Sequence, residues 1–449
     1  MAVRWYRGRT SWFCFAASAL AVLLVALWMR FQSHADYSAM AADCHRDDLV
    51  VAGGDDVSLN NQRRALIKQW NTTRDARGRP HPHATMVEVS PSTDLQHSQL
   101  KAVLESGGCG YDVLIMDNIW TAQFADAGYL RPLTGLGDLA DFFPAALRTG
   151  ERHGVRYAVP FNLDVGLLYY RDGVTPPPTW GALLAGGFVT HLAGEGLTVN
   201  ALETVWNEGG TDLLTGDREP SEQELRRVVH PALQRLAEQV RGPLRDARQR
   251  DEQAAIEAFA GGAQLMRNWP YAYSALATEP RMRGGDRLLF AAAAPPGRTV
   301  LGGQNLAVAA RSPNPGPARD LIAFLTGTDA QRMLFSCGGF APARYSALGL
   351  SPARHAPGDV TARTCAQLTG QTPARGDGDL PRQDQLTEFG QTLVRALAQA
   401  QPRPETPYYT TFTATFRDCV RKMLDGPGPD AATFAKAVRS SLDGRTASC

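Results

Sequence analysis

Two aspartates and a tryptophan frame the chemistry this sequence can do. Asp117 closes the apolar run Tyr111-Asp-Val-Leu-Ile-Met116, and Asp164 ends Pro160-Phe-Asn-Leu-Asp164. Paired carboxylates are the equipment of glycoside hydrolysis, which needs a defined separation between them. They are also strong acceptors of hydroxyl hydrogen bonds. No Gly-x-Ser-x-Gly segment, phosphate loop or zinc motif accompanies them, so nothing further selects an enzyme. That absence argues against an enzyme, and no cofactor is expected.

The candidate contacts each carry a second reading. Asp117 either accepts ligand hydroxyls or caps the helix that Ile119 begins, since Asp is a preferred N-cap. Asn162 and Asp164 either face ligand or serve a turn after Pro160; an amide offers both donors and an acceptor to a hydroxyl. Trp269 presents an indole plate with an N–H handle, or else packs in the core, as buried Trp often does. Its neighbours Asn268 and Pro270 suggest a loop, and Tyr271 extends the platform. Gly302 and Gly303 let a ligand reach the backbone, or mark a tight start to a strand. Arg403 has a planar fork that bonds two hydroxyls or pairs with Asp117; a surface ion pair is the other reading. Glu203 is a polar helix position that could simply face solvent.

These residues need elements to hold them. Leu49–Ala52, Thr85–Val89 and Tyr111–Met116 read as strands, with helical spacing between them at Leu59, Leu66, Ile67 and Trp70, then at Leu100, Val103 and Leu104. Alternating strands and helices predict a parallel sheet covered by helices. Ligands of such sheets bind beyond the carboxyl ends of the strands, where Asp117 falls. A second α/β lobe is expected from near Pro160. Glu222–Val240 and Arg245–Ala260 read as outer helices, Asn305–Ala309 as a strand, and Pro317–Leu325 as a helix with Pro in its first turn. Residues 349–385 read as a long loop or insertion. Thr413–Leu424 and Asp430–Leu442 read as helices.

With 449 residues the chain is too long for one core. Lys and Arg total 46 against 45 Asp and Glu, which argues against nucleic acid as a partner. Arg4, Arg7 and Arg9 precede an apolar run from Ser11 to Met29. That is an export signal or, with its basic end in the cytoplasm, an uncleaved membrane anchor. Cleavage after Ala35 or Ala41 is the alternative. Beyond that run six cysteines remain, an even count that suggests disulfides. Cys337–Cys365 and Cys419–Cys449 are close in sequence, and Cys44–Cys109 would join the starts of two strands of one sheet. His81-Pro-His83 lacks partner ligands for a metal.

Several segments, in order, resemble the extracellular solute-binding proteins of bacterial ABC sugar importers, the trehalose- and maltose-binding members above all. They are Tyr111–Trp120 with Ala127–Leu133, Gly154–Arg171, Phe259–Pro270, Leu301–Val308 and Arg403–Tyr409. The resemblance implies an α/β, two-lobed periplasmic-binding-protein-like fold with a ligand cleft between the lobes. It implies an anchor and linker over 1–43, lobe one over 44–157 and 297–344, and lobe two over 158–296 and 345–449. It implies ligand contacts from Asp117, Asn162, Asp164, Trp269, Tyr271, Gly302, Gly303 and Arg403. The expected partners are a neutral di- or oligosaccharide and ABC permease subunits, with the chain a monomer outside the cytoplasm, attached to the cell membrane by its N-terminal segment or secreted if that segment is cleaved. Alternatives are a membrane-anchored ligand sensor of the same fold, or a glycoside hydrolase.

Overall fold

The computed structural model describes residues 44–75, 77–90, 92–242, 244–370 and 381–449. The expected export or anchor segment Ser11–Met29 lies outside the described residues. Among these residues no helix is long and apolar enough to cross a membrane.

The first half alternates as expected. β1 (Leu49–Gly53), α1 (Gln62–Thr72), β2 (Ala84–Glu88), α2 (Thr93–Glu105) and β3 (Val113–Asp117) follow in order, with β1 parallel to both β2 and β3. Leu49, Val51, Val113 and Ile115 enter one core; Val50, Ala52, Leu114 and Met116 enter the other. Alternate side chains point to opposite faces of a strand, and a sheet buried on both faces reads as a continuous apolar run.

Two long strands then enter the same sheet. β4 (Ala158–Val165) is followed by β5 (Leu167–Arg171), α3 (Glu195–Asn207), α4 (His230–Arg241), α5 (Glu252–Ala260), β6 (Leu265–Asn268), α6 (Tyr271–Thr278), β7 (Phe290–Ala293) and β8 (Thr299–Val308). The chain ends with α7 (Pro315–Leu325), α8 (Thr328–Ser336), β9 (Ala341–Pro342), α9 (Gln383–Leu397), β10 (Ala400–Pro402), α10 (Tyr409–Asp425) and α11 (Ala431–Leu442). The seven-stranded sheet runs β9-β4-β8-β3-β1-β2, with β10 added on β8, and a three-stranded sheet runs β7-β5-β6.

The structure corrects three local expectations. Pro160–Asp164 is strand, not turn: the run Ala158–Val165 is buried and pairs with β8. Pro160 lacks an N–H, and the register shifts beside it, between Gln304 and Asn305, so a bulge accommodates the proline. Sheet membership therefore changes between Val165 and Leu167. Gly302 and Gly303 lie inside β8, which starts at Thr299, and not at a strand start. Residues 245–260 are not one helix: Asp251 caps a separate α5 by accepting from Ala254 N at 2.8 Å.

Three disulfides join Cys44 to Cys109, Cys337 to Cys365 and Cys419 to Cys449. His81 stacks on Trp70 with ring centroids 3.7 Å apart, and no metal-holding cluster occurs among the described residues.

Gly303 has φ +118°, and an added Cβ would stand 2.3 Å from the Asn162 carbonyl oxygen. Gly303→Ala is expected to cost on the order of 2 kcal/mol, from left-handed strain and backbone collision together. Urea denaturation of the variant against the parent measures it.

Candidate functional site

β8 pairs with β4 along one edge. Along the other edge it pairs with two different strands: Gln304–Val308 with β3, and Thr299–Leu301 with β10. Gly302 and Gly303 fall in the gap between those partners. Asp117 ends β3 on one side of the gap, and Arg403 follows β10 on the other. Their side chains meet across it, with Arg403 Nη2 2.5 Å from Asp117 Oδ1. Above this gap lies a cavity of about 230 Å³.

Seven of the eight expected contacts line that cavity: Asp117, Asp164, Trp269, Tyr271, Gly302, Gly303 and Arg403. Asn162 does not line it. It is buried in β4 opposite Gln304 and Pro342, and among the described residues neither side-chain amide atom has a partner. Asp117 also accepts from Ile119 N at 3.3 Å, so the helix cap and the cleft position coexist in one carboxylate. Arg403 is only 4% exposed, which excludes a surface ion pair. A second hollow, of about 820 Å³, is walled largely by apolar residues such as Phe143, Val394 and Leu397. It shares no lining residue with the cleft.

Trp269 sits between the end of β6 and the start of α6. One side of its ring carries the Arg267 guanidinium, 3.9 Å from the centroid, a cation–π arrangement. Arg267 forks onto Glu203, with Nη2–Oε1 at 2.6 Å and Nε–Oε2 at 3.0 Å, and both side chains are 1% exposed. Glu203 is therefore not a solvent-facing position. Its carboxylate also accepts from Thr299 Oγ1 at 2.7 Å and Val300 N at 3.0 Å, at the start of β8. Gly166, between β4 and β5, packs so tightly here that an added Cβ would lie 2.3 Å from Thr299 Oγ1 and 2.7 Å from Glu203 Oε1.

The cleft is electrostatically tense. Burial pushes the Asp164 carboxyl up to about 7; the Asp117 charge adds to this and Arg63 and Arg403 oppose it. Burial also raises Glu195, against the pull of Arg403 and hydrogen bonds from Tyr409 and Thr413. Burial lowers Arg403, but Asp117, Tyr409 and Glu195 outweigh it and hold the guanidinium charged. His191 is pushed down to about 3 by burial and the Arg267 charge, so it is neutral near pH 7 although Nε2 lies 3.7 Å from Glu252.

A family profile described as bacterial extracellular solute-binding protein matches residues 79–332, more than half of the chain. The chain belongs to this family. A probable ABC transporter-binding protein of Deinococcus radiodurans is 29% identical over 283 residues, covering 55% of this chain and 66% of that protein. Thiaminase-1 of Paenibacillus thiaminolyticus is 39% identical over 64 residues, 14% of this chain and 16% of that one. The chain thus matches less than two thirds of the length of either curated relative. Among solved structures, maltose-bound MalE3 of T. maritima superposes with TM-score 0.68 at 22% identity, covering 88% of this chain and 99% of that one. A solute-binding protein of Thermotoga lettingae bound with alpha-D-tagatose gives 0.68 at 19%, with 88% and 100% covered. The GacH receptor of Streptomyces glaucescens gives 0.66 at 19%, with 88% and 99% covered. These likenesses show the fold, an α/β protein of two lobes.

Other walls of this solute-binding protein's cleft were not legible in its sequence. Arg63 reaches in from α1 and donates to Gln304 Oε1 at 2.5 Å. Glu195 opens α3, where a helix N-terminus favours negative charge, and accepts from Thr413 Oγ1 at 2.7 Å and Arg403 Nη1 at 3.3 Å. Glu252 comes from the first turn of α5. The one signal for Glu195 was the Gly194 before it, which has φ +53°.

Asp164 sets a pH dependence. Its folded pKa, about 7, exceeds the usual 3.8, so the folded state holds more protons between those values. Its contribution to stability is greatest below the lower value and falls as pH rises through about 7. Relative to Asp164→Asn, the parent is expected to lose stability from pH 4 to pH 8, as read by urea midpoints.

Arg267→Met leaves the Glu203 carboxylate buried without its cation and is expected to cost about 3–5 kcal/mol. The double variant with Glu203→Leu should recover part of that loss. Chemical denaturation of the three proteins checks both outcomes.

Proposed function

We propose that this protein captures a small saccharide, up to disaccharide size, and delivers it to an ABC permease without altering it. The observation that carries the reading is the composition of the cleft. Trp269 and Tyr271 offer an aromatic platform, and buried polar atoms without hydrogen-bond partners among the described residues belong to the same walls: Nε of Arg63, Nε of Arg403 and Oδ1 of Asp164. Unpaired buried donors and acceptors are costly, and a polyhydroxylated ring satisfies both kinds while its C–H face covers the indole. A few convergent polar groups on an apolar wall are what orient a small ligand.

Family membership supports the reading. Two solved relatives of this fold are described with maltose and with alpha-D-tagatose, and the Deinococcus relative is described as an ABC transporter-binding protein. Lobe one would hold β1–β4, β8 and β9, and lobe two the three-stranded sheet with the C-terminal helices. Ligand bridging the lobes would close them about the crossings at Gly166 and Thr299. The disulfides fit an oxidising location outside the cytoplasm, with the N-terminal segment as export signal or anchor.

Titration calorimetry against mono- and disaccharides, both neutral and amine-bearing, is expected to find a ligand with dissociation near the micromolar range, about −8 kcal/mol. Trp269→Ala should weaken it by about 2–4 kcal/mol, and parent Trp fluorescence should change on binding. Chromatography should recover the sugar intact. A folded Trp269→Ala variant that binds as tightly as the parent places the site elsewhere, and hydrolysis of the sugar makes the protein an enzyme.

A further inference from the structure

The charges facing the cleft do not balance. Among the described residues, Asp55, Asp117, Asp164, Glu195 and Glu252 line it, against Arg63 and Arg403. Arg403 is engaged by Asp117 at 2.5 Å and by Glu195 at 3.3 Å. Arg63 lies 3.9 Å from Asp56, which does not line the cleft, and donates to Gln304 and to the Asp55 carbonyl. The third cation nearby, Arg267, stacks behind Trp269 and is forked onto Glu203.

Two carboxylates are left over. Asp164 makes no ion pair within 4 Å among the described residues, and its Oδ1 is buried with no hydrogen-bond partner. Among the described residues the Glu252 carboxylate, 40% exposed, meets only the ring of His191 at 3.7 Å, and that ring is neutral. Both carboxylates share the cavity with Trp269 and Tyr271. The negative charge of each bears on the Tyr271 hydroxyl, and that of Glu252 bears on Asp164. Glu252, and Asp164 once it has shed the proton that burial favours up to about pH 7, are like charges beside aromatic faces, and together they favour a cation between them.

Resting on the saccharide reading above, we infer that the ligand is an amino sugar whose ammonium lies between Asp164 and Glu252, beside the aromatic platform. Its hydroxyls accept from the free Nε atoms of Arg63 and Arg403. This departs from the neutral sugar expected by family resemblance. A neutral hydroxyl satisfies the Asp164 oxygen but leaves the excess negative charge in place; an ammonium does both.

The test uses thermal unfolding and calorimetry on the disulfide-bonded protein at pH 7. Probes are matched sets that differ only at one ring position. Glucosamine, N-acetylglucosamine and glucose form one set, the galactose counterparts a second, and the β-1,4 dimers of the first set a third. Choline is added as a cation that is not a sugar. The amine of a binding set should bind at least about 10-fold tighter than its acetylated and neutral counterparts, and raising salt should narrow the gap. Asp164→Asn and Glu252→Gln should each shrink it; Glu252 is exposed enough that its variant serves even if Asp164→Asn fails to fold. Neutral counterparts that bind as well as the amines overturn the inference and leave the saccharide reading standing. Choline binding with no sugar binding overturns the saccharide reading and keeps the cation preference. No shift with any probe overturns both.

Discussion

The buried pair of Glu203 and Arg267 is the interaction on which the rest of the arrangement leans. Glu203 sits on α3 and Arg267 on β6, 64 residues apart. One carboxylate accepts from Nε and Nη2 of the guanidinium, from the Thr299 hydroxyl and from the Val300 N–H together. A buried pair of this kind gives little net stability over apolar packing, yet it is costly to break. Its geometric role here is specific. It fastens the start of the crossing strand β8, leaves room only for a glycine at position 166, and backs the indole of Trp269. The crossing and the aromatic plate are therefore set by one cluster.

The shape of the cleft follows from strand pairing. An edge of β8 is served first by β10 and then by β3, and the two unserved residues between them are glycines. Side chains there would fill the floor. The strand ends that frame the gap carry opposite charges, so Asp117 and Arg403 bridge it. A feature of the backbone thus creates the cavity, and the residues that end the neighbouring strands decide its polarity. The result is an acidic hollow in a chain whose formal net charge is +1.

The first sheet was readable because its parallel strands are buried on both faces and so write themselves as uninterrupted apolar runs. Asp117 and Arg403 were readable for a related reason: a charged residue that ends such a run, or stands among prolines, is conspicuous. Trp269 was conspicuous by its ring. What escaped were residues whose partners are remote in sequence. Glu195, Glu252 and Arg63 look like ordinary polar residues of exposed helices, and only the packing of α1, α3 and α5 brings them to one cavity. Glu203 escaped because a lone Glu on a helix says nothing of an Arg far along the chain. Pro160 misled in the other direction: proline normally argues against a paired strand, and the bulge that admits it cannot be seen without the partner β8.

The side walls of the cleft come from other places. Val57, Thr93, Gln96 and Val199 line it from a loop and two helices, and none belongs to a strand of either sheet. The crossing cluster and the paired glycines are tied to the backbone; these four are not. Divergence of solute preference among descendants of this protein can therefore proceed by drift at the helix-borne walls while the crossing stays unchanged, so that the architecture outlives any one solute it binds.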